Sequence, residues 1–130
     1  MTQALRKIYL AGGFHSKWQA IAETKLHGFE LLNPAAHAID DPVEYTRWDL
    51  AAIRDSQIIL ANMEASNPGG YSLALEVGYA AALGKIIYLV DQIEDPVAHR
   101  YFEMVRQCSN HVFRSLDAAI KYINDVESPA

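Results

Sequence analysis

Along the chain, apolar residues gather into short continuous runs separated by longer stretches in which they recur every three or four positions. The runs Lys7-Ile8-Tyr9-Leu10-Ala11, Phe29-Glu30-Leu31-Leu32, Gln57-Ile58-Ile59-Leu60-Ala61 and Lys85-Ile86-Ile87-Tyr88-Leu89-Val90 are rich in β-branched and aromatic residues and predict strands. His111-Val112-Phe113-Arg114 predicts a fifth strand from a weaker pattern. Helical spacing fills the intervening segments 16–27, 42–55, 71–83, 97–107 and 116–126. The punctuation agrees: Gly28 follows the first helix, Asp41-Pro42 opens the second with proline in its first turn, and Gly84 follows the third.

Strands that are apolar nearly throughout need both faces buried, and strand–helix alternation supplies the crossovers that cover them. The expected architecture is therefore α/β: a doubly wound five-stranded parallel sheet in three α-β-α layers, flavodoxin-like or Rossmann-like. A chain of 130 residues, 51% hydrophobic, suits one core, so a single domain over 1–130 is expected.

Composition narrows the function classes. No apolar run approaches the ~20 residues that span a bilayer, and the stretch through Gly13 lacks the long apolar centre and cleavage site of a signal peptide. A cytoplasmic location is expected, in keeping with the single cysteine, Cys108. The net charge of −5 is spread without long like-charged blocks, which argues against nucleic-acid or membrane partners and for a small-molecule substrate. His15, His27, His37, His99 and His111 stand singly without metal-ligand spacing, so neither metal nor cofactor is expected.

In an open parallel sheet the ligand lies outside the carboxyl ends of the strands. Those ends carry Gly12-Gly13-Phe14 after the first strand, Asn33-Pro34 after the second, Asn62 at the end of the third and Asp91 after the fourth. Gly12-Gly13 lacks the third glycine of a dinucleotide fingerprint and the lysine of a P-loop. Two readings stay open for it: a tight turn needing positive φ, or backbone that approaches a substrate closely. Pro68-Gly69-Gly70 carries the same two readings and leads into a helix where Glu76 stands among Leu73, Ala74, Leu75, Val77 and Ala80. A charged residue in such company is either paired or functional, or it faces solvent on a helix otherwise wrapped by neighbours.

Three segments stand in a recognisable order. They are Ile8-Tyr9-Leu10-Ala11-Gly12; Asp49, Ile53 and Asp55-Ser56 before the third strand; and Glu76-Val77-Gly78-Tyr79-Ala80 followed by Leu83-Gly84-Lys85. From Lys7 to Val90, and more loosely through Ser109-Asn110-His111-Val112, the chain resembles the nucleoside 2-deoxyribosyltransferase family and the related 2'-deoxynucleoside 5'-monophosphate N-glycosidases. The resemblance implies that Glu76 is the nucleophile, that the Tyr9 hydroxyl orients it, and that Asp49 assists at the leaving base. It also implies a homo-oligomer, a dimer or dimer-based, in which Asn110 or His111 completes a neighbour's site. Tyr45, Trp48, Tyr79 and Phe102 are candidates for the subunit contact and equally for the core.

Such enzymes act on a small deoxynucleoside and a free nucleobase without a cofactor. The expected function is transfer of 2-deoxyribose between bases through a deoxyribosyl ester on Glu76. The alternatives are an N-glycosidase with water as acceptor and a non-catalytic nucleotide-binding module, which would have no need of Tyr9, Asp49 and Glu76 together. Two departures from the family pattern bear on specificity. Gly70 stands where many of the transferases carry an Asp that contacts the base, and Gly13 where proline is common. Ser16 and Ser72 are the candidates for the serines that the monophosphate hydrolases place near phosphate.

Overall fold

The apolar runs pair into a five-stranded, all-parallel sheet in a computed structural model that describes residues 4–66 and 70–129. The strands are β1 (Arg6–Gly12), β2 (Phe29–Leu32), β3 (Ile58–Met63), β4 (Ile86–Asp91) and β5 (His111–Phe113), in the order β2-β1-β3-β4-β5. The helices are α1 (Trp18–Lys25), α2 (Pro42–Asp55), α3 (Gly70–Ala82), α4 (Pro96–Tyr101), α5 (Glu103–Cys108) and α6 (Leu116–Glu127), with a 3₁₀ turn at Pro34–Ala36. None of the described helices is long and apolar enough to cross a membrane.

Side chains alternate across a strand, and β1 sorts its residues accordingly. Ile8 and Leu10 join Trp18, Ala22, Ile58, Leu60, Val90, Ile120 and Ile123 in a core beneath α1 and α6. Tyr9 and Ala11 face the opposite core with Ile53, Ile59, Met63, Leu73, Val77, Leu89 and Val105, beneath α2, α3 and α5. Both sheet faces are covered, which is why β3 is buried along its whole length. This is the three-layer, doubly wound α/β arrangement expected from the sequence.

The strand order places the topological switch point between β1 and β3, the two strands whose onward connections run to opposite sides of the sheet. There Gly12 is paired with Asn62, and its φ is +152°. A Cβ on Gly12 would lie 2.8 Å from the Asn62 carbonyl oxygen and 3.0 Å from Trp18. The glycine is thus required by close packing between two strands and α1.

Two local departures from the sequence reading have physical causes. The helix expected over 97–107 breaks at Phe102 into α4 and α5. The Arg106 guanidinium donates to the His99 carbonyl oxygen (2.8 Å) while pairing with buried Asp91 (3.2 Å), so a tertiary interaction takes up a carbonyl at the end of α4. The 3₁₀ turn after β2 was not anticipated; Asn33 caps it by accepting from the Ala35 amide (2.9 Å).

Candidate active site

Three elements distant in sequence converge at the switch point. Tyr9 sits in the middle of β1, on the face toward α2 and α3, and is wholly buried. On α3 the buried stripe runs Leu73, Glu76, Val77, Ala80, so helical spacing puts a carboxyl group where an apolar residue would ordinarily lie. Glu76 is 9% exposed, which excludes the solvent-facing reading, and accepts a hydrogen bond from the Tyr9 hydroxyl to Oε2. Asp49, on α2, completes the group from a third direction.

Together they line a cavity of about 570 Å³, a volume that suits a nucleoside-sized ligand. Of the residues singled out in the sequence, Tyr9, Gly12, Gly13, Phe14, Asp49, Gly70, Ser72 and Glu76 all border it. Gly13 does so with its backbone fixed: its carbonyl oxygen accepts from Trp18 Nε1 (3.1 Å) and Gln19 Nε2 (3.0 Å). Gly70 opens α3 with φ +54°, and among the described residues no atom lies within 4 Å of where its Cβ would be. Of the glycine-rich segment before it, Asn67 to Gly69 lie outside the described residues.

Other candidates are placed elsewhere. Asn62 is buried behind Gly12, and its Oδ1 has no hydrogen-bond partner among the described residues. Ser16 donates to Glu64 (2.7 Å) and does not border the cavity. Asn110 is occupied with β4, its Oδ1 accepting from the Ile87 amide (2.7 Å). His111 stacks on Tyr88 with ring centroids 5.4 Å apart. Neither Asn110 nor His111 reaches the cavity of its own chain.

The cavity is also lined by residues to which the sequence reading gave no part in the chemistry: His15, Pro34, His37, Ile39 and Tyr45. His37 Nε2 lies 3.1 Å from Asp49 Oδ1, and the edge of its ring meets Trp48 at 4.7 Å. One feature of the sequence points to His37: it lies three residues beyond Asn33-Pro34, at the carboxyl end of β2.

Burial governs the electrostatics. Loss of hydration pushes Glu76 up to about 7; the Tyr9 hydrogen bond opposes the rise and the charge of Asp49 adds to it. Burial also raises Asp49, partly offset by its hydrogen bond to His37. Tyr9 is raised as well, by burial first and then by Glu76, and so remains a protonated donor at any working pH. The site thus offers a carboxylate of tunable charge, a fixed hydroxyl donor and a second carboxyl group within one cavity. That combination can stabilise and trap a developing cation while delivering a proton to a leaving group.

Comparison with known proteins gives a consistent picture. The family model described as nucleoside 2-deoxyribosyltransferase like matches residues 5–93, more than half of the chain. Among solved structures, a 2-desoxiribosyltransferase from Leishmania mexicana is similar with a TM-score of 0.73 and 22% identity, over 93% of this chain and 98% of that one. A CMP N-glycosidase from Clostridium botulinum is similar with a TM-score of 0.63 and 19% identity, over 92% and 98%. At such identities the two likenesses establish a shared fold. No curated protein sequence matches the chain.

Proposed function

This chain belongs to the nucleoside 2-deoxyribosyltransferase-like family, and we propose that it moves 2-deoxyribose between nucleobases through an ester on Glu76. The observation that carries the proposal is the meeting of Glu76, Tyr9 and Asp49 around one cavity. As the C1'–N bond breaks, its electron pair leaves with the base, which takes a proton from Asp49. Glu76 stabilises the oxocarbenium character at C1' and closes on it as a covalent ester, as in retaining glycosidases. A nitrogen of the second base then attacks C1', releases Glu76 and returns its proton to Asp49. The stereochemistry at C1' is retained by the double displacement.

The charge of the cavity favours a nucleoside over a nucleotide. Its described lining holds two carboxyl groups and no Lys or Arg, whereas a phosphate ordinarily recruits a cation with several donors. One observation supports a second reading, with water as acceptor: among the described residues the space beside Gly70 is open, at the position where many of the transferases carry an Asp that contacts the base.

A homo-oligomer belongs to the same proposal. Of the aromatic residues considered for a subunit contact, Trp48, Tyr79 and Phe102 pack against the chain's own core, while Tyr45 is exposed. Tyr71 and Leu75 on α3, Tyr101 on α4 and Met104 on α5 are more exposed, and α5 packs against α3, the helix that bears Glu76. A second copy docking there is expected to bring polar residues such as Asn110 or His111 toward a neighbour's cavity.

The test is incubation with a 2'-deoxynucleoside, with and without a second free base, followed by chromatography. A new deoxynucleoside identifies transfer, and free deoxyribose identifies hydrolysis. Glu76→Gln is expected to lose at least about a thousandfold in rate. A 2'-fluoro substrate, which slows breakdown of the ester, is expected to label the Glu76 peptide. Wild-type rates in Glu76→Gln would eliminate the mechanism.

A further inference from the structure

The segment between β2 and α2 holds an arrangement that the reaction as described does not use. Beyond the 3₁₀ turn, His37 Nδ1 accepts a hydrogen bond from the Ile39 amide (3.0 Å). The return is possible because Ala38 lies in the left-handed region at φ +53°, a conformation that side-chain-bearing residues rarely adopt. Such strain at a cavity wall persists only where its surroundings over-determine it. The edge contact with Trp48 holds the ring from a second side.

This geometry fixes the tautomer. A ring nitrogen that accepts from an amide carries no proton, so the proton of the neutral imidazole resides on Nε2. Nε2 is the nitrogen 3.1 Å from Asp49 Oδ1. The contact is therefore a hydrogen bond from a neutral donor. An imidazolium would place a proton on Nδ1 against the Ile39 amide and lose that bond.

We propose that His37 is a positioning residue that acts through Asp49: by donating from Nε2 to Oδ1 it confines the proton of Asp49 to Oδ2. A carboxylic acid has one proton and two oxygens on which to carry it. With Oδ1 engaged as an acceptor, the proton goes to Oδ2, which has no hydrogen-bond partner among the described residues. After that proton passes to the leaving base, the same Nε2–H stabilises the carboxylate left behind. The groups that share the cavity with this pair are Glu76, Tyr9, Tyr45 and His15. Of these, Glu76 bears the charge that competes with an ionised Asp49.

The inference rests on the proposed reaction, but the lock itself can be read without turnover. Long-range ¹H–¹⁵N correlation spectra of the wild-type protein at neutral pH are expected to show His37 protonated at Nε2 and bare at Nδ1. The opposite tautomer, or a doubly protonated ring, overturns the proposal. In kinetics, His37→Phe is expected to lower kcat about tenfold or more with little change in KM. It should also move the alkaline limb of the rate profile to higher pH, because a bond that favoured ionised Asp49 is gone. His37→Gln, which keeps an amide donor and cannot become charged, is expected to recover most of the loss. Wild-type kcat in His37→Phe refutes the role, and so does a folded His37→Gln no better than His37→Phe. A ¹³C titration of the Asp49 carboxyl in wild type and His37→Phe reads the coupling directly, and an unmoved titration refutes it. A wild-type protein inactive on every deoxynucleoside would sink the functional reading alone, since the tautomer and the titration need no substrate.

Discussion

Replacing Tyr9 by Phe removes one oxygen atom from a buried position and leaves Glu76 without its hydroxyl donor. A hydrogen bond to a charged group contributes about 1.5–3 kcal/mol, and each pH unit of displacement corresponds to about 1.4 kcal/mol. The bond favours ionised Glu76, which burial has already pushed up to about 7. Its loss should raise the carboxyl group by a further ~1–2 pH units. At pH 7 the reactive carboxylate then falls from roughly half of the molecules to roughly 1–10%, a loss of about 5- to 50-fold in rate. The loss should be recoverable, because Glu76 ionises in the variant once the pH is high enough. The assay is kcat/KM for base release from a deoxynucleoside, measured in wild type and Tyr9→Phe from about pH 5 to pH 9.5. The acid limb is expected to move to higher pH while the two curves converge on the alkaline side. An acid limb that stays in place, or a loss uniform across pH, would show that Tyr9 does not act through the charge of Glu76.

Two further outcomes concern stability. Glu76 titrates near 7 in the folded protein against its ordinary 4.5, so its contribution is fully present below 4.5 and is lost as the pH rises through 7. Glu76→Gln should match wild type near pH 4.5 and exceed it at pH 8 by as much as ~3 kcal/mol, read from urea unfolding; a less stable variant at pH 8 would contradict the burial argument. Gly12→Ala must fit a Cβ 2.8 Å from the Asn62 carbonyl at φ +152°, and should cost about 2–4 kcal/mol, seen as a fall of several degrees or more in Tm. An unchanged Tm would mean that β1 and β3 separate more easily at the switch point than their packing implies.

The elements of the fold were legible where local pattern and tertiary burial agree. Every strand of the sheet lies within two residues of its apolar run, and α2 spans the expected segment from its Asp41 cap to Asp55. The break at Phe102 was not legible, because its cause is Asp91 at the end of β4, which draws Arg106 and His99 together across the fold. The same distinction holds in the site. The strand-end rule found Gly12, Gly13 and Phe14, whose backbone lies at the switch point, but it also flagged Asn62, which closes the packing behind them. His37 reads in the sequence only as an isolated histidine, because its role depends on a left-handed Ala38 and on a partner twelve residues away on α2. Neither the Ala38 conformation nor the Asp49 contact is written in the local sequence, which shows only that His37 follows closely on a strand end.

The position of Glu76 joins the two halves of the argument. On α3 the preceding side chain, Leu75, is largely exposed, and the following one, Val77, is wholly buried in the core. In this part of the helix, position 76 both reaches Tyr9 and borders the cavity. A carboxyl group there is desolvated by the same apolar layer that covers the sheet, so the burial that stabilises the fold also raises the acid toward neutrality. Tyr9 limits that rise, and its placement follows from strand alternation: one residue earlier or later on β1, the hydroxyl would point beneath α1 and α6. A one-residue shift of β1 against α3 would therefore keep an apolar sheet yet separate the hydroxyl from the carboxylate. Register in β1, fixed by Gly12 against Asn62, thus bears on the chemistry of Glu76 as directly as on stability.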